Sequence, residues 1–185
     1  MDKQLTENKL SSELIFDGTV LHVFKDDVRL PDGGTAVREL IKHIGAVCII
    51  PVTDDGRVVL ERQYRYPISR TVIEIPAGKL DFADEDRLEA AKRELHEETG
   101  LTADRWTDIG LYYPAPAYSD EKITMYLAQG LHRGSQDLDE DEFLEVFTMP
   151  LAELVDKIVA GEISDGKTQV AALKAAAILG RKTAE

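Results

Sequence analysis

The sequence predicts an α+β fold with a mixed β-sheet, and the order of its local patterns carries the prediction. Residues 14–75 consist of β-branched runs separated by turn signals, whereas the first segment with helical periodicity and capping residues begins only after residue 86. Further strand-like runs come after that helix and before two more helices. Strands therefore lie before, between and after isolated helices, which is typical of the α+β class.

The first 40 residues are predicted to form an N-terminal β extension. Strand-like runs occupy residues 14–16, 20–24 and 28–30, and the Pro-Asp-Gly-Gly sequence at 31–34 has hairpin-turn chemistry. An isolated hairpin is only marginally stable in water, so this segment must pack on something. We therefore divide the chain into an extension, residues 1–40, and a main domain, residues 41–185.

The next segment predicts the centre of the sheet. Residues 45–52 are apolar on both alternating sets of positions, as in a strand that is covered on both faces. The Asp-Asp-Gly turn at 54–56 is expected to pair this strand with residues 58–60. Cys48 lies in the apolar run and is interpreted as a small core residue.

Capping signals define three helices. The first is predicted over residues 87–99, with Asp86 as N-cap, Glu89 as the second member of a capping box and Gly100 as the stop. The second is opened by Pro150 and covers residues 151–160, and the third covers about 168–179. Between the first and second helices, strands are predicted at residues 109–113, 123–128 and 143–147.

The length, charge and cysteine content of the chain disfavour several classes of function. The chain of 185 residues has the length of one domain and a formal charge of −13, which disfavours nucleic acids and anionic membranes as partners and favours metal cations. Its single cysteine excludes an internal disulfide and multi-cysteine metal sites. The N-terminus has no signal-peptide core, and no apolar stretch approaches the ~20 residues of a membrane helix. We expect a cytoplasmic protein.

The first helix has an unusual concentration of acid. At about 100° per residue, Glu94, Glu97 and Glu98 fall on one arc beside the apolar edge of the helix. A solvated surface face is the simple interpretation, but the helix dipole disfavours acids in the last turn and Glu94 repels Glu98 at i,i+4. Arg93 can pair with Glu97 or with Glu89, which leaves acids over. A divalent cation would offset the surplus, and carboxylate ligands favour Mg²⁺ or Mn²⁺.

The segment GKLDFADEDRLEAAKRELHEETGL, read from Gly78, resembles the Nudix box. The matching positions are Gly78, Glu85, Arg93, Glu94, Leu95, Glu97, Glu98, Gly100 and Leu101. Six residues separate Gly78 from Glu85, where the family pattern has five, so the loop path and the partner of Glu85 are open and Asp84 is an alternative to Glu85. The resemblance implies a mixed β-sheet sandwiched between helices. It also implies that Glu94, Glu98, Glu97 and the carbonyl of Ala77 hold the metal, with Glu85 and Arg93 as an orienting ion pair.

Flanking segments are similar to the ADP-ribose pyrophosphatase branch of that family. They are ERQYRYP at 61–67, IEIPAGKL at 73–80 and a marker proline, Pro116, fifteen residues after Leu101. The resemblance implies Mg²⁺-dependent hydrolysis of ADP-ribose to AMP and ribose 5-phosphate by metal-activated water. The alternatives are a hydrolase of another nucleoside-diphosphate sugar, such as a GDP-sugar, and a Nudix domain that binds a nucleotide without cleaving it.

Further site residues follow from the same resemblance. The acidic loop 137–146 is expected to supply a catalytic glutamate, Glu142 or else Glu140. Arg65 is the candidate diphosphate clamp because a guanidinium binds phosphate oxygens bidentately, and Arg62 and Arg70 are candidate helpers. In the similar branch the N-terminal strands exchange across a homodimer and an aromatic side chain stacks on adenine. Here Phe16 and Phe24 are the candidates for that stacking, and core packing is the alternative for each. Pro116 is a further candidate substrate contact implied by the resemblance.

Overall fold

The computed structural model describes residues 5–138 and 143–182. It contains ten strands and three α-helices within this part of the chain. The strands are β1 (Asn8–Asp17), β2 (His22–Arg29), β3 (Thr35–Lys42), β4 (Ala46–Val52), β5 (Arg57–Arg65), β6 (Arg70–Glu74), β7 (Ala77–Lys79), β8 (Leu101–Tyr112), β9 (Ile123–Arg133) and β10 (Leu144–Pro150). The helices are α1 (Arg87–Thr99), α2 (Leu151–Val159) and α3 (Gly166–Lys182).

The chain divides into two compact units. One comprises Met1–Ile44 and Tyr113–Lys122, and the other comprises Gly45–Tyr112 and Ile123–Glu185. The first unit contains an antiparallel sheet in the order β1-β2-β3. The second contains a mixed sheet in the order β10-β5-β4-β9-β8, with β6 beside β5 and β7 beside β4. The predicted α+β class, mixed sheet and N-terminal antiparallel strands are confirmed.

Strand β4 is the centre of the second unit, and both of its faces are covered. Val47 and Ile49 belong to an apolar cluster with Ala91 and Leu95 of α1. The alternate residues of β4 pack in a second cluster with α2 and α3. The apolar run on both sets of positions is explained by this arrangement, in which helices cover the two faces of the sheet. Burial raises the pKa of the Cys48 thiol to about 12, as suits a core residue.

Strand pairing corrects one expectation about β4. The predicted hairpin with residues 58–60 pairs the two strands only at Val52 and Val58, next to the turn. Over its whole length β4 instead runs parallel to β9, and its first residues pair with β7. Parallel pairing between distant segments leaves no signal at the turn, so the sequence pattern could not show it.

The N-terminal strands are longer than predicted because polar residues continue them. Ser11 and Ser12 of β1 donate hydrogen bonds to Asp27 and Asp26 of β2, at 2.7 and 2.6 Å. These cross-strand bonds let β1 extend from Asn8 to Asp17 and β2 from His22 to Arg29. The prediction used apolar runs alone and therefore gave three shorter strands in place of β1 and β2.

Strand β8 begins at Leu101, directly after the helix stop, and not at residue 109 as predicted. Trp106 lies within it, packs against the cluster beside α1 and meets the Tyr126 ring edge-on with centroids 6.2 Å apart. A register shift between Asp108 and Gly110 breaks the alternation of the strand.

The two later helices follow the prediction within two or three residues at each end. Among the described residues, no helix combines the length and apolar character needed to cross a membrane.

Candidate active site

Helix α1 is fixed at both ends by the residues that the sequence singled out. The Asp86 carboxylate accepts hydrogen bonds from the backbone N–H groups of Leu88 and Glu89, at 2.9 and 3.0 Å. Gly100 ends the helix in the left-handed conformation, with φ of 69°, and donates its N–H to the carbonyl of His96. The predicted helix is confirmed, except that Glu89 pairs with Lys92 and does not complete a capping box.

Two of the predicted metal ligands are buried against strand β7. Glu94 and Glu98 are only 8% and 2% exposed, although both are acidic. The backbone N–H of Ala77 donates to Glu98 Oε2 at 2.9 Å. A Cβ atom added to Gly78 would overlap the carboxylate of Glu94, so only glycine leaves room for that side chain. The two carboxylates, one turn apart on α1, therefore converge on the Ala77–Gly78 backbone.

Arg93 holds four carboxylates together, and we call this group the Arg93 cluster. Its guanidinium lies 2.8 Å from Glu94, 3.1 Å from Glu97 and 3.4 Å from both Glu85 and Asp81. Burial alone would lower the pKa of Arg93, but these carboxylates outweigh it and raise the pKa above its ordinary value. The cluster is therefore negatively charged in spite of its arginine.

The loop before α1, which has one residue more than the family pattern, places Glu85 beside Arg93. Glu85 contacts Arg93 through one oxygen and accepts the Asp81 backbone N–H at 2.7 Å through the other. Asp84 is exposed, so Glu85 and not Asp84 holds the position beside Arg93. Asp81, which the sequence analysis did not consider, enters the cluster from this loop. Its only signal was a further acid close to Gly78.

The residues of this site fit a hard divalent cation. In the part of the chain that the structure describes, no three His, Cys, Asp or Glu side chains form a ready-made metal cluster. The donors near β7 are carboxylate oxygens together with a backbone segment, which is the ligand chemistry of Mg²⁺ and Mn²⁺ and not of zinc. The space above Gly78 is kept for a carboxylate, and the surplus negative charge of the Arg93 cluster would be offset by a cation.

The two arginines predicted to contact substrate already have protein partners. Arg65 donates from Nε and Nη2 to the two oxygens of Glu74, at 2.6 and 2.8 Å. Arg62 donates to Glu145 at 3.1 Å, and its guanidinium lies 4.0 Å from the centre of the Phe147 ring. Arg70 is exposed and pairs with Arg65 in the register of β5 and β6. The roles of these arginines toward a substrate remain predictions.

The other predicted substrate contacts lie in the first unit. Phe16 is 55% exposed on β1, and Pro116 is exposed in the segment Tyr113–Lys122. Phe24 is half-buried, and the ammonium of Lys42 lies 4.1 Å from the centre of its ring. The exposed ring of Phe16 is available for stacking, whereas one face of Phe24 already meets a cation. Which of them stacks on a base remains a prediction.

Glu142 and Glu140, the candidates for the loop base, lie outside the described residues. The chain that leads toward them is attached to the end of α1. The backbone N–H of Asp137 donates to the carbonyl of Glu97 at 3.1 Å, and the Gln136 side chain donates to the carbonyl of Glu98. The loop thus starts beside two of the acidic residues of the predicted metal site.

A second ionic group, which we call the Glu74 cluster, was missed by the sequence analysis. Glu74 is 1% exposed and pairs with both Arg65 and Lys167, and Lys167 also lies 3.1 Å from Asp165. Burial would raise the pKa of Glu74, but the two cations together hold it below its ordinary value. The available signal was Asp165, which comes three residues before Thr168 at the start of α3 and is of a type favoured as N-cap.

Comparison with known proteins shows the family of the chain. Residues 42–170 match the NUDIX domain family. The chain is 41% identical over 171 residues to the ADP-ribose pyrophosphatase of Bacillus subtilis (strain 168), covering 91% of this chain and 92% of that protein. It is 38% identical over 173 residues to the methanol dehydrogenase activator of Bacillus methanolicus, covering 92% and 93% of the two chains.

A solved structure shares the whole architecture. The crystal structure of an ADP compounds hydrolase superposes with a TM-score of 0.84 at 26% sequence identity, covering 96% of this chain and 97% of that one. The fold, the box residues on α1 and the relatives agree, so the prediction of a Nudix pyrophosphatase similar to ADP-ribose pyrophosphatases is confirmed. The chain belongs to the Nudix family.

Proposed function

We propose that this protein hydrolyses the diphosphate of ADP-ribose to AMP and ribose 5-phosphate with the help of Mg²⁺. The observation that carries the proposal is the acidic site on α1, in which Glu94 and Glu98 are buried on β7 beside the Arg93 cluster. A diphosphate is a polyanion, so a site that cleaves it needs cations as well as groups that aim water. The similarity to an ADP-ribose pyrophosphatase supports the choice of substrate.

Each residue of the site has a defined part in this proposal. Glu94 and Glu98, with Glu97 and the Ala77 carbonyl, would hold Mg²⁺, and Mn²⁺ is the alternative. Bound Mg²⁺ supplies neutralisation of the phosphate charge and a lower pKa for the attacking water. Arg93 keeps Glu94 and Glu97 in place through its ion pairs, and Glu85 orients Arg93 from the loop side.

A proton acceptor completes the proposed chemistry. Glu142 is our candidate because it directly precedes an aromatic and an apolar residue, Phe143 and Leu144, as in the similar branch. Glu140 is the alternative in the same loop. The attachment of residues 136 and 137 to the end of α1 supports the choice of this segment.

We also propose substrate-binding roles for residues of each unit, taken separately. Arg65, assisted by Arg62, would clamp the diphosphate, and Phe16 or Phe24 would stack on the base near Pro116. The extension, residues 1–40, would supply the stacking side chain within a homodimer, while residues 41–185 carry the chemistry. Strand β1 supports an interface, because Leu10 and Leu14 are each 50% exposed along an edge strand. A cytoplasmic location is part of the proposal.

A substrate panel tests the activity. AMP release from ADP-ribose in Mg²⁺ should exceed release of nucleoside monophosphate from GDP-mannose, diadenosine polyphosphates and nucleoside triphosphates at equal concentration. Faster hydrolysis of GDP-mannose would replace the proposed substrate by a GDP-sugar. Tight binding of ADP-ribose without cleavage at any Mg²⁺ concentration would instead indicate a nucleotide sensor.

Oligomeric state is tested on the same protein. Sedimentation velocity should give a dimer for the full chain, and removal of the residues before Thr35 should abolish both dimerisation and ADP-ribose affinity. A fully active monomer would contradict the proposed dimer.

A further inference from the structure

The first turn of α3 makes a buried hydrogen-bond chain to the strand segment that leads to β7. The hydroxyl of Thr168 accepts the backbone N–H of Ile75 at 2.9 Å, and both residues are fully buried. The same hydroxyl donates to Asp165 Oδ2 at 2.6 Å, and that oxygen also accepts the Thr168 N–H at 2.9 Å. The Ile75 N–H, which lies after the end of β6, is thereby satisfied by a residue 93 positions away.

Ion pairs fasten the preceding residue to the same turn. Lys167 binds Glu74 and Asp165, so Glu74 is attached to α3 while Arg65 holds its two oxygens from β5. Residues 74 and 75 are therefore fixed by α3 through one ion pair and one hydrogen bond.

Helix α3 is itself held firmly against strand β8. A Cβ atom on Gly166 would overlap the hydroxyl of Tyr112, so the helix start approaches β8 closely. Lys174 donates to the carbonyl of Ile109 at 2.6 Å further along the same helix. Helix α3 therefore contacts β8 both at its first turn and further along its length.

The supported segment runs directly into the metal site. The carbonyl of Pro76 accepts the N–H of Ile49 at 2.8 Å, and the next residue, Ala77, donates its N–H to Glu98. Only one residue separates the Ile75 bond to Thr168 from the Ala77 bond to Glu98. A shift of the Ile75 backbone would therefore move both the Ala77 carbonyl and the partner of Glu98.

We infer that Thr168 and Lys167 are positioning residues for the metal site, acting through Ile75 and Glu74 on the Ala77–Gly78 backbone. This inference rests on the proposed metal-binding role of that backbone and of Glu98. The bonds of these two residues described above are to Ile75, Glu74 and Asp165, so their effect is on the placement of ligands. Groups that hydrogen-bond a metal ligand directly commonly set affinity by about 10- to 100-fold. Thr168 bonds a residue two positions before Ala77, so an effect at the lower end of that range is expected.

The test compares Thr168→Val with Thr168→Ser. Valine keeps the branched shape but leaves the buried Ile75 N–H without its acceptor, whereas serine keeps the hydroxyl. Mn²⁺ affinity is measured without substrate by electron paramagnetic resonance, and kcat and KM for ADP-ribose are measured separately. We expect Thr168→Val to weaken Mn²⁺ binding and to lower kcat, each by about tenfold. KM should change by less than about twofold, and Thr168→Ser should restore both losses.

Thr53→Val is the matched control. Thr53 Oγ1 also accepts a backbone N–H, that of Arg57 at 2.9 Å, but it lies in the turn at the far end of β4 from the residues that pair with β7. This variant loses a hydrogen bond of the same kind, from a backbone N–H to a threonine hydroxyl, at a partly exposed turn, and should keep the wild-type Mn²⁺ affinity and kcat. Equal losses in the Thr53 and Thr168 variants would show a general effect of stability and would overturn the inference.

A second variant keeps the test decisive if Thr168→Val does not fold. Lys167→Met removes the ion pairs of α3 with Glu74 but keeps the Thr168 hydroxyl, and it should weaken Mn²⁺ binding in the same direction. Wild-type Mn²⁺ affinity in whichever of these variants folds would overturn the inference. Failure of the proposed function has a different signature, in which the wild type does not release AMP while Mn²⁺ binding still depends on Thr168.

Discussion

The Arg93 cluster and the Glu74 cluster are made of the same kinds of side chain, but their charges are balanced differently. In the Glu74 cluster, two cations, Arg65 and Lys167, form ion pairs with two carboxylates, Glu74 and Asp165. A third buried acid, Glu61, lies opposite Glu74 in the register of β5 and β6. In the Arg93 cluster, four carboxylates share one guanidinium. Both clusters lie in the unit that contains the mixed sheet.

The difference teaches how to distinguish a structural ionic group from a functional one. A buried charge without compensation is costly, and in the Glu74 cluster this cost is met from within the chain, by the ion pairs of Glu74 with Arg65 of β5 and Lys167 of α3. An ionic group with surplus charge is expected where a ligand from outside the chain supplies the opposite charge. The surplus of negative charge beside β7 is therefore the feature of this molecule that points to a bound cation and an anionic substrate.

Glu98→Gln is expected to have the largest effect on activity. Glutamine keeps the size of the side chain and an oxygen for the Ala77 N–H, but it removes one negative charge from the metal site. We expect kcat to fall on the order of 10² or more. The melting temperature should not fall, because repulsion between Glu94 and Glu98 is relieved. Near-wild-type turnover at saturating Mg²⁺ would contradict the role of Glu98.

Glu142→Gln tests whether the proposed reaction at the Arg93 cluster needs a proton acceptor from the loop 137–146. A proton acceptor acts in the transition state, so kcat should fall by about 10- to 100-fold with a smaller change in KM. Steady-state kinetics of Glu140→Gln serve as the matched control, since this residue lies in the same acidic loop. A silent Glu142 variant beside a damaged Glu140 variant would exchange the two assignments.

Glu74→Gln should lower the stability of the fold and, because it breaks the ion pair with Lys167, should also weaken Mn²⁺ binding as Lys167→Met does. Removing the charge leaves Lys167 and Arg65 without their buried partner, which should cost about 2 kcal/mol at pH 7. The pKa of Glu74 is lowered in the folded state, so its contribution is full above the ordinary value of 4.5 and is lost as the pH falls below it.

Urea unfolding of the wild type and the Glu74 variant, from pH 7 downward, measures this loss. The difference in unfolding free energy should be constant from pH 7 to about pH 5 and should shrink at lower pH. A difference that persists unchanged at pH 3 would show that the Glu74 charge is not what stabilises the cluster.

The two clusters also show what can be predicted from the sequence. Residues 93, 94, 97 and 98 lie within two turns of one helix, so their side chains meet whenever the helix forms. The helix is specified by the local signals of Asp86 and Gly100. The box motif and its surplus of acid could therefore be recognised without a structure.

The Glu74 cluster could not be recognised in that way. Lys167 and Glu74 are 93 residues apart, and their meeting depends on how α3 packs on the sheet. The same limit applies to Asp81, which joins Arg93 through the path of a loop, and to the parallel pairing of β4 with β9. Local pattern specifies elements, whereas the partners of buried charges depend on tertiary packing.

Arg65 belongs to the Glu74 cluster and is also the proposed clamp for the substrate diphosphate. Its two bonds to Glu74 hold the guanidinium in a fixed plane, and its side chain is still 40% exposed, so a phosphate could approach its free edge. As a diphosphate clamp, Arg65→Ala should raise KM for ADP-ribose by about fivefold. Arg65→Lys should recover only part of this, because an ammonium group lacks the bidentate fork.

As a purely structural partner of Glu74, Arg65 would instead affect stability and leave KM unchanged. Initial rates over a range of ADP-ribose concentrations and urea unfolding of the same two variants separate these outcomes. We expect both quantities to change for Arg65→Ala, because the guanidinium is bound on one side and open on the other. Unchanged KM in both variants would assign Arg65 to the Glu74 cluster alone and leave the diphosphate without this clamp.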